Sequence, residues 1–177
     1  MSDSDFHIRP ADAADFEAIT AIYADHVQTG LATFETVAPD LAEMTQRWKT
    51  LVGEGYPYLV ASSADGILGY AYAGPFHRRI GYRHTVEDSI YLANTVTRRG
   101  VGTALLSQII TESETRGYRQ MIAVIGDSRN RASIGLHRKL GFSHVGILQS
   151  VGHKLGQWVD SVYMQRVLGD GNGTQPP

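Results

Sequence analysis

Hydrophobic and polar positions along this chain follow two periods, and each period predicts one kind of element. Brief runs rich in β-branched and aromatic residues predict strands, because such side chains suit a short pleated segment. Apolar residues that recur every three or four positions predict amphipathic helices. The predicted strands lie at 6–9, 57–61, 67–73, 85–93 and 121–125 and on both sides of a turn at 152–156, and the predicted helices lie at 12–29, 41–51, 100–116 and 132–140.

The stretch from Asp88 to Gly117 joins a short apolar strand, a polar turn and an amphipathic helix. The first amide groups of a helix have no partner within it and lie at the positive end of its dipole, so they attract anions. Gly100 and Gly102 let a phosphate group approach the backbone, and Arg98 and Arg99 add positive charge. The stretch therefore predicts a diphosphate-binding turn; the spacing leaves open a turn whose glycines only permit close packing.

Two other nucleotide-binding motifs are excluded at this turn. A P-loop needs GxxxxGK[ST], and no lysine follows a glycine at that spacing. A dinucleotide-binding fingerprint needs a third small residue after GxGxx, and Leu105 occupies that position. A diphosphate bound here is therefore expected to rest on the start of the helix without the help of either motif.

Composition limits the kind of protein. With 177 residues, 42% of them hydrophobic and 19% charged, the chain suits one domain with a sizeable core. Its net charge of −2 argues against general nucleic-acid binding. No apolar run reaches the roughly 20 residues of a membrane span, and the polar start lacks the apolar segment of a signal peptide. We therefore expect a cytoplasmic protein that binds neither nucleic acid nor membranes.

Cysteine and histidine usage restricts the chemistry. The chain has no cysteine, which excludes disulfides, cysteine metal sites and a cysteine nucleophile. A group that this protein transfers would then pass directly from one bound substrate to the other. The seven histidines include no pair at helical HxxxH spacing, and no nearby carboxylate completes a ligand set, so we expect no metal.

The glycine turn resembles the acetyl-CoA loop of the GCN5-related N-acetyltransferases (the GNAT superfamily), which reads Q/R-x-x-G-x-G/A between a strand and a helix. Aligning the glycines on Gly100 and Gly102 places Thr97 at the first position, a departure from the pattern. The family's loop binds mostly through backbone amides, so the resemblance still implies acetyl-CoA as co-substrate. A frame with Arg99, Gly102 and Ala104 also fits, but the following Ala-Leu-Leu favours the first.

The order of predicted elements, β-α-α-β-β-β-α-β-α-β-β, is also that of the acetyltransferase fold, so the resemblance covers roughly residues 6–167. It implies an α/β (α+β) fold: a mixed, mostly antiparallel sheet with helices on both faces and a splay between the fourth and fifth strands. The cofactor's pantetheine arm is expected to enter that splay and pair with Ile90, Tyr91 and Leu92. We expect one domain over residues 1–168 and a disordered tail over 169–177.

Acetyl transfer to an amine needs a base. A protonated amine must lose a proton before it attacks a thioester, and the departing thiolate must gain one. Glu87, at the start of the predicted central strand, is the candidate base. Its alternative is a carboxylate at the protein surface, alone or paired with Arg83.

The late helix supplies a candidate proton donor. In this family the donor is commonly a Tyr within N-x-x-S/A-x-x-L-Y-x-x-x-G-F, and residues 130–142 follow that pattern with His137 at the tyrosine position. Imidazole titrates near neutrality and can give or take a proton. A histidine with a purely structural role is the alternative.

Several short motifs narrow the resemblance further. TFET, AYAGP, TVE, AVIG and LHRKLGF occur in that order and are followed by G-x-K-x-G-x-W-x-D. Together they look like phosphinothricin N-acetyltransferases and their relatives that act on methionine sulfone or sulfoximine. The last motif consists of Gly152, Lys154, Gly156, Trp158 and Asp160.

This resemblance implies a role for each matching position. The catalytic pair is Glu87 and His137. The acetyl-CoA positions are Ile90, Tyr91, Leu92, Arg98, Arg99, Gly100, Val101, Gly102, Thr103 and Asn130, and the substrate positions are Phe34, His77, Arg79 and Tyr82. Arg79 would hold the anionic group of an amino acid in a bidentate fork, and His77 stands where a Lys is often found. We expect Phe34 to be buried.

As a whole, the resemblance implies an enzyme that acetylates the α-amino group of a small anionic amino-acid-like compound, with a role in antibiotic or herbicide resistance. It also implies a homodimer with sites near the subunit boundary. Two other classes stay open: a non-catalytic acyl-CoA sensor and an acetyltransferase for peptides or proteins. The presence of both catalytic candidates argues against the sensor. The loop with Phe76, Arg79 and Tyr82 favours a small closed pocket over a peptide groove.

Overall fold

The computed structural model describes residues 6–96 and 99–176, so Thr97 and the predicted cofactor residue Arg98 lie outside the described part. Its strands are β1 (His7–Pro10), β2 (Tyr58–Ser63), β3 (Gly66–Pro75), β4 (Thr85–Leu92), β5 (Gln120–Gly126), β6 (Ser143–Lys154) and β7 (Gln157–Val167). Its α-helices are α1 (Phe16–Thr29), α2 (Leu41–Gly53), α3 (Val101–Thr115) and α4 (Arg131–Lys139), with 3₁₀ turns at Ala13–Asp15 and Ile80–Tyr82. The order of strands and helices is the predicted one.

The seven strands form one mixed sheet in the order β1-β2-β3-β4-β5-β7-β6. Every neighbouring pair is antiparallel except β4 and β5, which are parallel. One face packs against α1 and α2, and the other packs against α3 and α4. The predicted mixed, mostly antiparallel sheet with helices on both faces is confirmed.

Strands β4 and β5 part halfway along β4. Their pairing runs from Thr85 opposite Gln120 to Asp88 opposite Ala123, although β4 continues to Leu92. Strands that stop exchanging hydrogen bonds leave main-chain groups available to another partner. This gap is the predicted splay between the fourth and fifth strands.

Side chains of β4 alternate between the two faces of the sheet. Ile90 and Leu92 pack with the core around α3. Tyr91 packs with the core around α1 and α2. The same alternation directs Asp88 toward α3 and α4 and Glu87 toward α1 and α2. Two adjacent carboxylates are thus separated by the thickness of the sheet.

Helix α3 is held by one of the best-packed parts of the core. Leu105, Leu106 and Ile109 are fully buried in it. Truncating a buried side chain of this size to Ala typically costs about 2–5 kcal/mol, so the position of α3 and of its first turn is strongly determined. None of the helices within the described ranges has the length and apolar character needed to cross a membrane.

Phe34 is not buried, which contradicts the sequence prediction. Its side chain is 40% exposed. The ring lies over Gly152 of β6, where the Cβ of any other residue would overlap it. The prediction is wrong because the ring lies against Gly152, a residue that has no side chain to cover it.

The chain after β7 makes contacts with the body of the domain. Leu168 is fully buried, and its amide donates to the carbonyl of Arg119. Asp170 forms an ion pair with Arg119 at 3.5 Å, and the amide of Gly171 donates to the carbonyl of Leu168. The boundary of the domain at 168 and the disorder of residues 169–177 stay predictions.

Candidate active site

A large cavity lies on the α1 and α2 face of the sheet. It has a volume of about 580 Å³ and is named here the tyrosine cavity. Its apolar wall consists of Tyr23, Tyr58, Tyr70, Tyr72, Met44 and Leu51, and its polar wall includes Arg47, Arg78, Glu43, Glu87 and Ser89. A mostly apolar cavity with a few converging charged groups is typical of a small-molecule site.

Glu87 is the carboxylate at the inner end of the tyrosine cavity. It is half-buried, and the described residues place no hydrogen-bond partner or ion pair on its carboxylate, Arg83 included. Burial raises the pKa of Glu87 to about 7, and the nearby charge of Asp88 acts in the same direction. A carboxylate with this pKa is suited to accept and release a proton near neutral pH.

The tyrosines form a stacked layer across three strands. The rings of Tyr58 and Tyr72 are 5.0 Å apart between centroids and 10° from parallel. The rings of Tyr70 and Tyr91 lie 5.3 Å apart. Burial raises the pKa of Tyr72 to about 12, so the phenol stays neutral. The faces of such rings attract cations, which makes this wall suitable for an ammonium group.

A second cavity lies on the other side of the splay, at the start of α3. It has a volume of about 440 Å³ and is named here the α3 cavity. Its lining includes every cofactor residue predicted from the sequence that the structure describes: Ile90, Tyr91, Leu92, Arg99, Gly100, Val101, Gly102, Thr103 and Asn130. The structure therefore brings the predicted cofactor residues together, with Arg98 outside its described part.

The first turn of α3 has the features of an anion site. Gly100 is the residue before the helix and has φ +78°, a left-handed conformation that favours glycine. No side chain caps the helix, and its first main-chain bond runs from the amide of Ala104 to the carbonyl of Gly100. The amides of residues 101–103 thus have no partner within α3. A Cβ on Gly102 would come within 3.3 Å of the Leu92 side chain.

Asn130 and Leu92 already have protein partners in the α3 cavity. The side-chain oxygen of Asn130 accepts from the amide of Ser133 at 3.1 Å and so caps α4. The Leu92 carbonyl accepts from Nε2 of His26 at 2.9 Å. The main chain of Tyr91 faces its partner Tyr70 on β3, so a bound pantetheine arm would pair mainly with the main chain of Ile90 and the amide of Leu92.

A third cavity, of about 50 Å³, lies in the gap between β4 and β5 and is named here the splay cavity. It shares Ser89 with the tyrosine cavity. It shares Ala32, Ile90, Tyr91, Asn130 and Ser133 with the α3 cavity. The three cavities therefore form a row that crosses the sheet at the splay and ends beside Glu87.

His137 is buried on the α4 side of the splay cavity. Its Nε2 lies 3.0 Å from Oδ2 of Asp88, and its Nδ1 lies 2.8 Å from the carbonyl oxygen of Ser133. Burial by itself lowers the pKa of His137, but the hydrogen bond and charge of Asp88 outweigh it, so the pKa of His137 is raised. Glu87 and His137, predicted as a catalytic pair, thus lie on opposite faces of β4 and do not contact each other.

Three of the four predicted substrate residues lie together. His77, Arg79 and Tyr82 line an exposed pocket of about 520 Å³ with Arg78. The rings of His77 and Tyr82 are 4.9 Å apart between centroids. Arg78 also lines the tyrosine cavity, so the outer pocket and the tyrosine cavity adjoin at this residue. Phe34 is not part of either lining.

The loop before α2 is anchored by the hairpin of β6 and β7. Lys154, which is 3% exposed, donates from Nζ to the Thr33 carbonyl at 2.8 Å. The hydroxyl of Thr33 is 3.1 Å from the hydroxyl of Tyr23, which lines the tyrosine cavity. Of the residues of the G-x-K-x-G-x-W-x-D motif, Lys154 thus helps to position a wall of the site.

Sequence reasoning missed Asp88, Ser89, Arg47 and Arg78. Asp88, Ser89 and Arg78 are each next to a residue that the sequence predicted for the site. Arg47 lies on α2, for which the sequence pattern predicted only apolar packing positions. Strand alternation could have separated Glu87 from Asp88, since β4 is long enough to show both faces. Arg47, held by Glu35 at 2.7 Å, had no signal in the spacing.

The side chains that could bind a metal ion are dispersed over the described part of the structure. Among residues 6–96 and 99–176, no group of three or more His, Asp or Glu side chains is placed to hold a metal ion. The expectation that the protein uses no metal stays a prediction. The chemistry of the three cavities is described below with protein groups alone.

An uncapped helix start at the splay of a mixed sheet, with a carboxylate across the gap, is the arrangement expected of an acyl-CoA-dependent acetyltransferase. In agreement with this, residues 8–163 match the family described as "Acetyltransferase (GNAT) domain", and the chain belongs to that family. The predicted family and fold are confirmed.

Three similar proteins have names that state an activity. The chain is 50% identical over 162 residues to "Phosphinothricin N-acetyltransferase" of Alcaligenes faecalis, covering 92% of this chain and 82% of that protein. It is 42% identical over 159 residues to "L-methionine sulfoximine/L-methionine sulfone acetyltransferase" of Pseudomonas aeruginosa, covering 89% and 92%. A phosphinothricin acetyltransferase from Sinorhizobium meliloti, solved with acetyl-CoA, superposes with a TM-score of 0.94 at 46% identity, covering 98% and 94%.

Proposed function

We propose that this protein transfers acetyl from acetyl-CoA directly to the α-amino group of a small anionic amino-acid-like compound of the phosphinothricin, methionine sulfoximine or methionine sulfone type. The observation that carries the proposal is the row of three cavities across the splay, which ends at Glu87 with a pKa of about 7. The names of the relatives at 42–50% identity support the same substrate type.

The residues present fit acetyl-CoA. The amides of residues 101–103 and the Arg99 side chain would hold its diphosphate, and the glycines of this turn permit that approach. The main chain of Ile90, beyond the last β4–β5 pair and directed away from β3, is available to its arm. When bound, acetyl-CoA supplies the acetyl thioester. Because each charge-assisted hydrogen bond contributes about 1.5–3 kcal/mol, three or four of them suffice to hold the diphosphate.

Glu87 is the proposed base for the incoming amine. An α-ammonium group in the tyrosine cavity would face a carboxylate and a layer of aromatic rings, both of which favour its binding. Transfer of one ammonium proton to Glu87 frees the nitrogen lone pair. Ser89, which lines both the tyrosine cavity and the splay cavity, marks the place where the two substrates would meet.

Arg78 and Arg79 are the proposed partners of the acceptor's anionic group. Arg78 lines both the tyrosine cavity and the outer pocket, whereas Arg79 lines only the outer pocket. His77 and Tyr82 complete the outer pocket. A compound whose ammonium group lies near Glu87 would therefore reach Arg78 before Arg79.

The arginines can be ranked by substitution. We expect Arg78→Gln to raise the KM for the acceptor by about 10–100-fold, the loss of one charge-assisted hydrogen bond, with kcat little changed. Arg79→Gln should raise the same KM by a smaller factor. The KM for acetyl-CoA, measured in the same assays, is the control and should stay constant. A larger effect of Arg79→Gln would assign the anion to the outer pocket.

An amine panel tests the proposed function. Release of free thiol from acetyl-CoA is measured with phosphinothricin, methionine sulfone, methionine sulfoximine and a peptide with a free N-terminus. Turnover with at least one of the three small compounds and none with the peptide is the expected result. Turnover with the peptide alone would favour a peptide or protein acetyltransferase, and binding of acetyl-CoA without any turnover would favour an acyl-CoA sensor.

We also propose that the protein is a homodimer. Strand β6 is an edge strand of the sheet, and it exposes Val145, Ile147, Leu148 and Val151, with Trp158 exposed on β7. An edge strand that exposes several apolar side chains is typical of a protein–protein contact. Light scattering after gel filtration should give twice the monomer mass. Ile147→Glu should give a folded monomer, and an unchanged mass for this variant would exclude the β6 edge as the contact.

Two further expectations, a cytoplasmic location and a role in antibiotic or herbicide resistance, stay predictions. The resistance role would follow if the panel shows turnover with phosphinothricin or methionine sulfoximine. Expression of the protein in cells exposed to either compound would then measure it directly.

A further inference from the structure

Asp88 is a buried carboxylate to which neither the sequence nor the proposed base mechanism assigns a role. Its side chain and that of His137 are each 2% exposed, and their atoms Oδ2 and Nε2 are 3.0 Å apart. The second oxygen, Oδ1, is buried and has no hydrogen-bond partner among the described residues. Asp88 lines the splay cavity. An unpaired buried carboxylate oxygen is costly unless a ligand or water completes it.

The hydrogen bonds of His137 define how many protons the two residues hold. The carbonyl of Ser133 can only accept, so Nδ1 of His137 carries a proton and donates it. At Nε2 the partner is a carboxyl group, and a hydrogen bond there requires one more proton, on Nε2 or on Asp88. Asp88 and His137 therefore hold one proton more than a neutral imidazole and a carboxylate do.

The surroundings of this pair contain few competing charges. On β4, Glu87 faces the opposite side of the sheet, and β5 contributes only Ala123, Val124 and Ile125 to the splay cavity. The charged residues of α4, Arg131, Arg138 and Lys139, are exposed, and so is Arg99 at the start of α3. After α4, Phe142 places its ring edge-on to His137, with centroids 5.0 Å apart. Among the described residues, Asp88 alone forms an ion pair with His137.

These observations change the role that the sequence predicts for His137. Both of its ring nitrogens are committed to protein partners, so His137 has no free N–H to offer to the splay cavity. The atom of the pair that has no hydrogen-bond partner among the described residues is Oδ1 of Asp88, which lines the splay cavity. We propose that Asp88 is the catalytic acid that returns a proton to the coenzyme A thiolate and that His137 is the positioning residue that supplies and holds that proton. The proposal rests on the proposed acetyl transfer.

The transfer of a proton from the Asp88–His137 pair to the coenzyme A thiolate balances. The N–H bond at Nε2 of His137 breaks as an O–H bond forms on Oδ2 of Asp88. Rotation of the carboxyl group about its Cβ–Cγ bond then brings this O–H to the side of the unpaired Oδ1, and the O–H bond breaks as an S–H bond forms on the thiolate. The pair is left as neutral imidazole and carboxylate and regains its proton from solvent. Of the two protons that the ammonium group loses on becoming an amide, one is matched by the proton on sulfur and one is released to solvent. No oxidant or further reactant is needed.

The variant Asp88→Asn tests the step, because asparagine keeps the shape of the side chain but cannot carry the proton. We expect kcat to fall about 10²-fold, the usual contribution of a general acid, with the Kd for acetyl-CoA unchanged. In the wild type, kcat should decline at alkaline pH as the pair loses its proton, and in Asp88→Asn this decline should be absent or begin at lower pH. A variant with wild-type kcat and pH profile would overturn the proposal.

Asp15→Asn is the matched control. Asp15 is also a buried carboxylate with a charged partner, Arg9, at 2.7 Å, but it lies before α1 and lines none of the three cavities. Loss of stability without a change in pH profile is expected for Asp15→Asn. A change of pH profile in Asp15→Asn equal to that in Asp88→Asn would show that the effect is only structural and would overturn the proposal.

A measurement without substrate checks the proton count. In protein labelled with ¹⁵N-histidine, the ring signals of His137 in the wild type should show both nitrogens protonated at neutral pH, and those in Asp88→Asn should show neutral imidazole. A neutral His137 beside an ionised Asp88 in the wild type, the latter read from the ¹³C signal of its carboxyl carbon, would overturn the proposal. Should Asp88→Asn not fold, His137→Gln replaces it, because glutamine can donate to Asp88 but holds no transferable proton; full activity of His137→Gln would equally overturn the proposal.

Failure of the proposed function and failure of this proposal give different results. Wild-type protein that releases no thiol with any amine of the panel refutes acetyl transfer, and with it the acid step. Wild-type protein that turns over normally while Asp88→Asn does the same refutes the acid step alone. The signals of His137 report on the proton count in both cases.

Discussion

Glu87→Gln is expected to lower kcat by about 10²–10⁴-fold, the range of a general base, while the Kd for acetyl-CoA stays within a few-fold of the wild-type value. Glutamine fills the same space at the end of the tyrosine cavity but cannot accept the ammonium proton. Acetyl-CoA binds on the other side of the splay, in the α3 cavity, whose lining does not include Glu87. Steady-state kinetics and binding calorimetry measure the two quantities separately.

The pH dependence gives the same prediction a second readout. The pKa of Glu87 is about 7, and only the ionised form accepts a proton. Activity of the free enzyme should therefore rise with pH through about 7 and should fall tenfold for each unit below it. In Glu87→Gln this acidic limb should disappear. An acidic limb that persists unchanged would assign the base to another group.

Glu43→Gln is the matched control for Glu87. Glu43 also lines the tyrosine cavity, but it is exposed and paired with Arg47. Exposed ion pairs contribute at most about 1 kcal/mol, so Glu43→Gln should change kcat by no more than a few-fold. A loss in Glu43→Gln as large as that in Glu87→Gln would indicate a general effect of charge in the cavity rather than proton transfer.

Gly102→Val is expected to abolish measurable acetyl-CoA binding. A Cβ at this position already comes within 3.3 Å of Leu92 and 3.4 Å of Leu136, and the two methyl groups of valine would extend into the α3 cavity. They would cover the amides that hold the diphosphate. Losing three charge-assisted hydrogen bonds reduces the binding free energy by more than about 4 kcal/mol, which weakens the Kd by about 10³-fold. Binding calorimetry with acetyl-CoA measures this effect.

Gly135→Val separates this effect from the cost of valine in a helix. Gly135 lies in α4 and is exposed, a Cβ added to it would meet no atom within 4 Å, and it lines none of the three cavities. The variant should therefore bind acetyl-CoA as the wild type does. Normal binding by Gly102→Val, with thermal unfolding close to that of Gly135→Val, would refute the assignment of the diphosphate to the α3 start.

The fold was largely predictable because local pattern and overall order agree. The short apolar runs and the three- to four-residue periods correspond to strands and helices in the predicted order. The prediction of the splay came from the resemblance to a family rather than from any residue. The register of β4 on β5, which ends at Asp88 and Ala123, then located the splay.

The candidate site was predictable only in part. The cofactor residues are nearly consecutive in the chain, so a sequence pattern can contain most of them, and the structure brings them together in the α3 cavity. Glu87 and His137 are far apart in the chain, and no spacing tells which face of the sheet each occupies. Phe34 was misjudged for a related reason, because the burial of a loop residue depends on elements that are distant in sequence.

By itself the sequence determined the elements, their order and the glycine turn at the start of α3, because periodicity and backbone freedom are local properties of the chain. Only the tertiary structure decided that Glu87 faces the tyrosines, that Asp88 and His137 meet at the splay cavity, and that Arg78 joins the tyrosine cavity to the outer pocket. The reason is physical: adjacent residues of a strand point to opposite faces, so their chemistry depends on what the rest of the chain packs against each face.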